Sequence, residues 1–103
     1  MSRRTVRVDQ QFFTELDAQL GESRGSNGEP SASDFLLVDL PTLSEAFAKR
    51  FEELPTLYPD RDDYRSLVAT GLLVRAVTIT AQLLPDGSAV LFGIDIDLAT
   101  WPD

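Results

Sequence analysis

Two runs of alternating apolar and polar residues, Leu73 to Leu83 and Ala89 to Leu98, meet at Pro85-Asp86-Gly87-Ser88. Period-two alternation on either side of a Pro-Asp-Gly turn specifies an antiparallel hairpin. Residues that face each other across a hairpin share one side of the sheet, so the pattern also selects a register. With a four-residue loop and Leu84 facing Ala89, Leu83 meets Val90, Ala81 meets Phe92, Ile79 meets Ile94 and Val77 meets Ile96. The opposite face then pairs Gln82 with Leu91, Thr80 with Gly93 and Thr78 with Asp95. A three-residue loop, which Pro-Asp-Gly also permits, would set Gln82 against Val90. That register is rejected because it carries polar residues into the core.

Tyr64 to Ala69 is a shorter strand, folded back by Thr70-Gly71, and the resulting meander must bury its row of Val, Ile and Phe under a second layer. The residues ahead of it provide that layer. Arg3 to Val8 alternates as a half-buried strand should, with Val6 and Val8 on one face. Asp9 is placed to cap a first helix of about eleven residues, and Gly21 to end it. Phe13, Leu16 and Leu20 share one face of that helix, with Phe12 at its margin. From Ser33, the positions Leu36, Leu40, Leu43, Phe47, Phe51 and Leu54 form one helical stripe that stays in phase across Pro41. Proline inside a helix removes a hydrogen bond and costs about 3 kcal/mol if the helix runs straight. One helix kinked near Leu37 to Pro41 is therefore expected, the alternative being two helices with Thr42 and Glu45 in a capping box. Glu22 to Ser33 and Pro55 to Asp63 read as loops, the first of them flexible and longer than is usual between helices. The expected fold is α+β over residues 1–103 as a single domain, in the order β-α-α-β-β-β. Two helices, the second kinked, cover one face of an antiparallel sheet.

Chemistry is bounded by what is missing. The chain has no His and no Cys, which removes the commonest general base, the commonest metal ligands, Cys nucleophiles and disulfides. Any catalysis would fall to carboxylates, Tyr, Ser, Thr, Lys or Arg, and the balance is against an enzyme. A net charge of −8 repels phosphate backbones unless positive charge is gathered in one patch. Arg3, Arg4 and Arg7 could form such an arm for nucleic acid, but a charged, solvated strand end is the preferred reading. Asp60-Arg61-Asp62-Asp63 suggests a cation site yet lacks the glycine and closing glutamate of a calcium loop. Asp95 and Asp97 likewise read as an exposed strand face. Gly21, Gly25 and Gly28 follow a helix, which does not suit a phosphate-cradling loop. No metal and no cofactor is expected. Without a long apolar run or a leader-like start, a cytoplasmic protein with no membrane contact is expected. Arg75 lies by parity on the apolar face of its strand, either at the core rim, paired with Glu52 or Glu53, or turned outward by a bulge. Trp101 is a lid over the core or part of a contact surface.

The stretches Arg4-Thr5-Val6-Arg7-Val8, Phe47 to Pro55 and Tyr64-Arg65-Ser66-Leu67-Val68, followed by the hairpin, together resemble the RelE/ParE superfamily of bacterial toxin-antitoxin toxins over nearly the whole chain. The resemblance implies one of two mechanisms. RelE-like members cleave messenger RNA on the ribosome with Arg, Lys and a C-terminal Tyr or His, while ParE-like members bind a type II topoisomerase. On the first, Arg65 and Arg75 would stand for the strand arginines, but Gly93-Ile94-Asp95-Ile96-Asp97 carries acids where the nucleases are basic. The second is the expectation: a ParE-like or degenerate toxin-type protein that acts by protein binding, with Arg7, Arg75 and Trp101 as contact residues. Its partner would be a cognate antitoxin or another protein, with a homodimer open and nucleic acid disfavoured. A ribosome-dependent endonuclease and a non-toxin interaction domain of the same fold are the alternatives.

Overall fold

A computed structural model describes residues 4–21, 31–70 and 76–96. Strand β1 (Val6–Val8) leads into helix α1 (Gln10–Gln19). A short helix α2 (Ala32–Asp34), a π-helical turn (Phe35–Asp39) and helix α3 (Leu40–Lys49) run on continuously, and after a break at Arg50 a 3-10 turn follows at Phe51–Glu53. Strands β2 (Thr56–Tyr58), β3 (Arg61–Ala69), β4 (Val77–Leu83) and β5 (Ala89–Ile96) follow, and the sheet order is β1-β5-β4-β3-β2. The fold is α+β, as the sequence implies, but the sheet is mixed and has five strands. β1 lies parallel to β5, with Val6 beside Ala89 and Val8 beside Leu91. β2 occupies part of the stretch read as a loop, pairing Thr56 with Arg65 and Tyr58 with Arg61. Because β1 and β2 are the two edges, the helical segments between them carry the chain across one face of the sheet.

That face holds the core. Phe12, Leu16 and Leu20 of α1 and Phe35, Leu43 and Phe47 of the helical run pack with Val77, Ile79, Ala81, Leu91, Ile94 and Ile96. Phe12, expected at the margin of α1, is fully buried, and Phe13 is half-exposed. The cap falls as expected: the Asp9 carboxylate accepts the Gln11 amide at 3.2 Å. At the other end Leu20 is extended and Gly21 does not take a left-handed turn.

Ahead of Pro41, where a kink is expected, the helix takes a wider turn. The Leu40 amide donates to Phe35 rather than Leu36, which loosens the backbone just where the pyrrolidine ring would press on the Leu37 carbonyl. The extra residue also shifts the helical phase. Phe35 takes the buried place expected of Leu36, Leu36 is half-buried, and Leu37 is 79% exposed, while Leu40, Leu43, Phe47, Phe51 and Leu54 stay inside. The helical start is capped by Ser31 and Asp34 in a reciprocal box, so residues 31–33 belong to the helix and not to the preceding loop.

The hairpin combines both of the registers weighed above. Near the turn Leu83 faces Ala89, Gln82 faces Val90 and Ala81 faces Leu91, the three-residue-loop register; beyond an irregularity at Thr80/Ala81, Thr80 faces Gly93, Ile79 faces Ile94 and Val77 faces Ile96. The expected pairs of Ala81 with Phe92 and Leu83 with Val90 are therefore wrong, and the objection to Gln82 facing Val90 fails because that pair lies on the outer face. Phe92 is the extra residue of a β-bulge. The turn dictates one register, through Gly87 at φ 90° and a Leu84 amide that donates to Ser88 at 2.8 Å. The apolar pattern dictates the other, and the bulge reconciles them.

Asp86 locks the turn by accepting from the Ser88 hydroxyl at 2.6 Å and the Ser88 amide at 2.9 Å. These two donors, with Arg7 nearby, hold the Asp86 carboxyl below its ordinary value. A lowered folded value means that the turn's contribution is present above the unfolded value of about 3.9 and is lost as pH falls through the folded one. An NMR acid titration read at the Ser88 amide should give a midpoint below that of an unfolded aspartate, and Asp86→Asn should abolish the transition.

β1 covers only the first part of β5, and α1 completes the edge with side chains. The Glu15 carboxylate accepts the Ile94 amide at 3.0 Å, while Gln19 donates to the Ile94 carbonyl at 2.8 Å and accepts the Ile96 amide at 2.6 Å. An amide side chain thus stands in for a neighbouring strand and denies the edge to other chains. Gln19→Leu strips both partners, and urea melts should show a loss of about 1–3 kcal/mol together with concentration-dependent light scattering. Melts and scattering unchanged from the parent would show that Gln19 does not guard the edge. No helix among the described residues is long and apolar enough to cross a membrane.

Candidate functional site

The sheet face away from the helices carries Tyr64, Ser66 and Val68 from β3, Thr78, Thr80 and Gln82 from β4, and Val90, Phe92 and Asp95 from β5, all half-buried or exposed. Alternation from the buried Leu91 turns Phe92 outward, and the bulge then puts Gly93 on the same outer face and returns Ile94 to the core. Tyr64 is the centre of an aromatic row. Its ring meets Phe92 edge-on at 6.0 Å and Tyr58 at 5.3 Å, an arrangement that favours rings beyond their simple burial. The Arg61 guanidinium lies 4.8 Å from the centroid of Tyr64 and is fixed there by a two-pronged bond to Asp63 at 2.9 and 2.7 Å. The same bond holds the Asp63 carboxyl below its ordinary value and raises that of Arg61. Tyr58 is 51% and Val68 71% exposed.

Next to the aromatic row, α1 and strands β4 and β5 enclose a concavity of about 250 Å³ lined by Glu15, Thr78, Thr80, Phe92 and Asp95, with Gly93 as its floor. The missing side chain at 93 lets the Thr80 hydroxyl lie against the backbone there. A Cβ there would lie 2.3 Å from the Thr80 hydroxyl and 3.7 Å from the Glu15 carboxylate.

The sequence-derived candidates scatter. Arg65, the would-be catalytic residue, is turned toward the helical layer, with its side chain only 11% exposed. It donates to the carbonyls of Glu52 at 2.9 Å, Leu54 at 2.8 Å and Asp62 at 2.9 Å, and its guanidinium lies 5.7 Å from the Phe51 ring. These bonds fasten the 3-10 turn to β3. The Arg4 guanidinium also lies 5.5 Å from the Phe51 ring and pairs with Glu52, so one of the two partners expected for Arg75, Glu52 rather than Glu53, is engaged by another arginine. Arg7 is exposed and pairs loosely with Asp86 at 3.3 Å, a surface contact of little energetic weight. Arg3, Arg75, Asp97 and Trp101 lie outside the described residues. Of the acids at 60–63, Asp63 is bound to Arg61, and Asp62 lies 4.0 Å from Arg65. No cluster of metal-ligating side chains occurs among the described residues.

Sequence reasoning missed Tyr58, Tyr64 and Phe92 as a group. The signal was there in part: Leu91-Phe92-Gly93-Ile94 places large apolar residues on both parities beside a glycine, which is how a bulge reads.

Compared with known proteins, the chain matches no family model, no curated protein and no solved structure. Fold and surface therefore define it as an α+β domain with one sheet face covered by helices and the other carrying an aromatic row.

Proposed function

We propose that this chain is a RelE/ParE-like domain of the non-nucleolytic kind, ParE-like or degenerate, which acts by binding another protein. The observation that carries the reading is the aromatic row on the outer sheet face, Tyr58, Tyr64 and Phe92, with the exposed Val68 further along β3 on the same face. Aromatic side chains bring large contact area at small entropic cost and are enriched where proteins meet. The commitment of Arg65 to three backbone carbonyls supports the same reading, since a guanidinium so engaged is not free for a phosphate. Net charge of −8 disfavours the counterion-driven affinity on which RNA binding depends.

The test has two arms. Purified protein is incubated with ribosomes carrying a defined messenger, and the 5′ ends are mapped; no codon-phased cuts are expected. In parallel, growth is followed on induction, and the arrest expected of the parent should be relieved by Tyr58→Ala combined with Val68→Asp, two changes at exposed sites. Codon-phased cuts that disappear in Arg75→Ala would establish the nuclease instead. Arg65 is unsuitable for this control because it ties the 3-10 turn to β3 through three backbone carbonyls.

A further inference from the structure

We propose that the groove over Gly93 receives an arginine or lysine side chain presented by the partner protein. The inference rests on the protein-binding reading above and names the chemistry of the partner. Thr78 pairs with Asp95 and Thr80 with Gly93, so two hydroxyls, a carboxylate and a bare backbone form a compact block on the outer face. Glu15 closes its flank from α1. Both Glu15 oxygens are already held, one by the Ile94 amide at 3.0 Å and the other by the Gln11 side chain at 2.9 Å. A carboxylate has about four acceptor sites, so this fixed group keeps capacity for further donors. The Thr80 hydroxyl lies over the Gly93 backbone, where a Cβ would otherwise sit, with the Glu15 carboxylate beyond it, so a group entering the groove meets that hydroxyl and that carboxylate.

The lining supplies acceptors and two acidic side chains, with no basic residue among them. Phe92 is part of the lining, and aromatic rings attract cations placed over their faces. The chain uses that chemistry one ring away, where Arg61 stacks on Tyr64. A volume of about 250 Å³ falls below the roughly 300–1,000 Å³ of small-molecule sites, which suits a single side chain better than a metabolite. Charge complementarity extends beyond the groove, because a chain of net charge −8 draws a basic partner toward it and speeds encounter.

The probe is the capped tripeptide acetyl-Gly-Arg-Gly-amide, titrated into the full chain at low salt and followed by amide chemical shifts. Its counterparts with citrulline or glutamate in the central position, and magnesium chloride at matched ionic strength, are run alongside. Saturable shifts at Thr80, Gly93 and Ile94 are expected with the arginine peptide alone, with millimolar affinity that weakens as salt is added. Asp95→Asn, at an exposed position, should weaken binding several-fold, and Gly93→Ala, whose Cβ would displace the Thr80 hydroxyl from the groove, should abolish it. Absent shifts, equal shifts with citrulline, or saturation by magnesium in place of the peptide would overturn the proposal. So would full affinity in Asp95→Asn, whatever becomes of the fold in Gly93→Ala. The two readings fail separately: messenger cleavage with these shifts intact removes the protein-binding function and leaves the groove, whereas growth arrest without them removes only the groove.

Discussion

Phe47→Ala should cost about 3–5 kcal/mol in urea denaturation, while Phe92→Ala should cost about 1 kcal/mol, although both remove the same side chain. Phe47 is fully buried in α3 among the core residues that face the sheet, so its truncation leaves a cavity that neighbouring elements cannot easily fill. Phe92 stands half-exposed on the outer face, and its main described contact is the edge of Tyr64. Removing it forfeits a ring contact and some apolar area but opens no interior space. The comparison tests the bulge directly. Equal losses in the two variants would place Phe92 in the core opposite Ala81 and remove the aromatic row from the outer face.

Arg65→Ala should destabilise the fold by about 2–3 kcal/mol, more than is usual for a strand residue next to an edge. Bonds from a charged donor contribute about 1.5–3 kcal/mol each, and Arg65 makes three, two of them to carbonyls near solvent that water can satisfy in part. The Leu54 carbonyl is the one left least well served. Arg65→Lys should recover only part of the loss, since a single ammonium cannot span the sites that the guanidinium fork reaches. Thermal melts of the three proteins decide the matter. A Tm for Arg65→Ala equal to that of the parent would mean that the arginine is not a structural tie, and would return it to the list of residues available for chemistry.

Much of the architecture was legible because it is written in local periodicity. The step of three and four from Leu40 to Phe47 announces a helix face, although the stripe expected to run on to Leu54 leaves the helix after Lys49, and the alternation from Val77 to Leu83 announces a half-buried strand. Asp9 before Gln10 announces a cap. The failures share a cause, namely competition between two local signals that periodicity cannot rank. Pro85-Asp86-Gly87 asks for a three-residue loop, and Ile79, Ile94, Val77 and Ile96 ask for the register one residue away. Neither register satisfies both the turn and the apolar pattern along the whole hairpin, and only packing chooses the place where the chain changes from one to the other. At Pro41 the choice lay between a kink, a break and a widened turn. The widened turn keeps the backbone bonded while bringing Phe35 into the core.

The functional surface was less legible still. Tyr58 and Tyr64 read as isolated residues in a loop and a strand, because nothing local indicates that β2 folds back beside β3. Arg65 looked like a candidate for chemistry because a sequence gives an arginine's charge and parity but not the carbonyls it will find. Its partners at 52, 54 and 62 meet it only once the 3-10 turn docks.

Composition and pattern alone settle that the chain has neither histidine nor cysteine, carries a net charge of −8, and contains a hairpin and helices with one apolar face each. These are properties of residue identity and short-range order, which survive any arrangement of the elements. Tertiary structure decided the parallel seat of β1 on β5, the side of the sheet to which Phe92 turns, and the pairing of Gln19 with Ile96, 77 residues along the chain. Each of these depends on the free energy of bringing distant segments together. There the hydrogen-bonding needs of an open strand edge and the volume of a ring in a crowded core are weighed against one another.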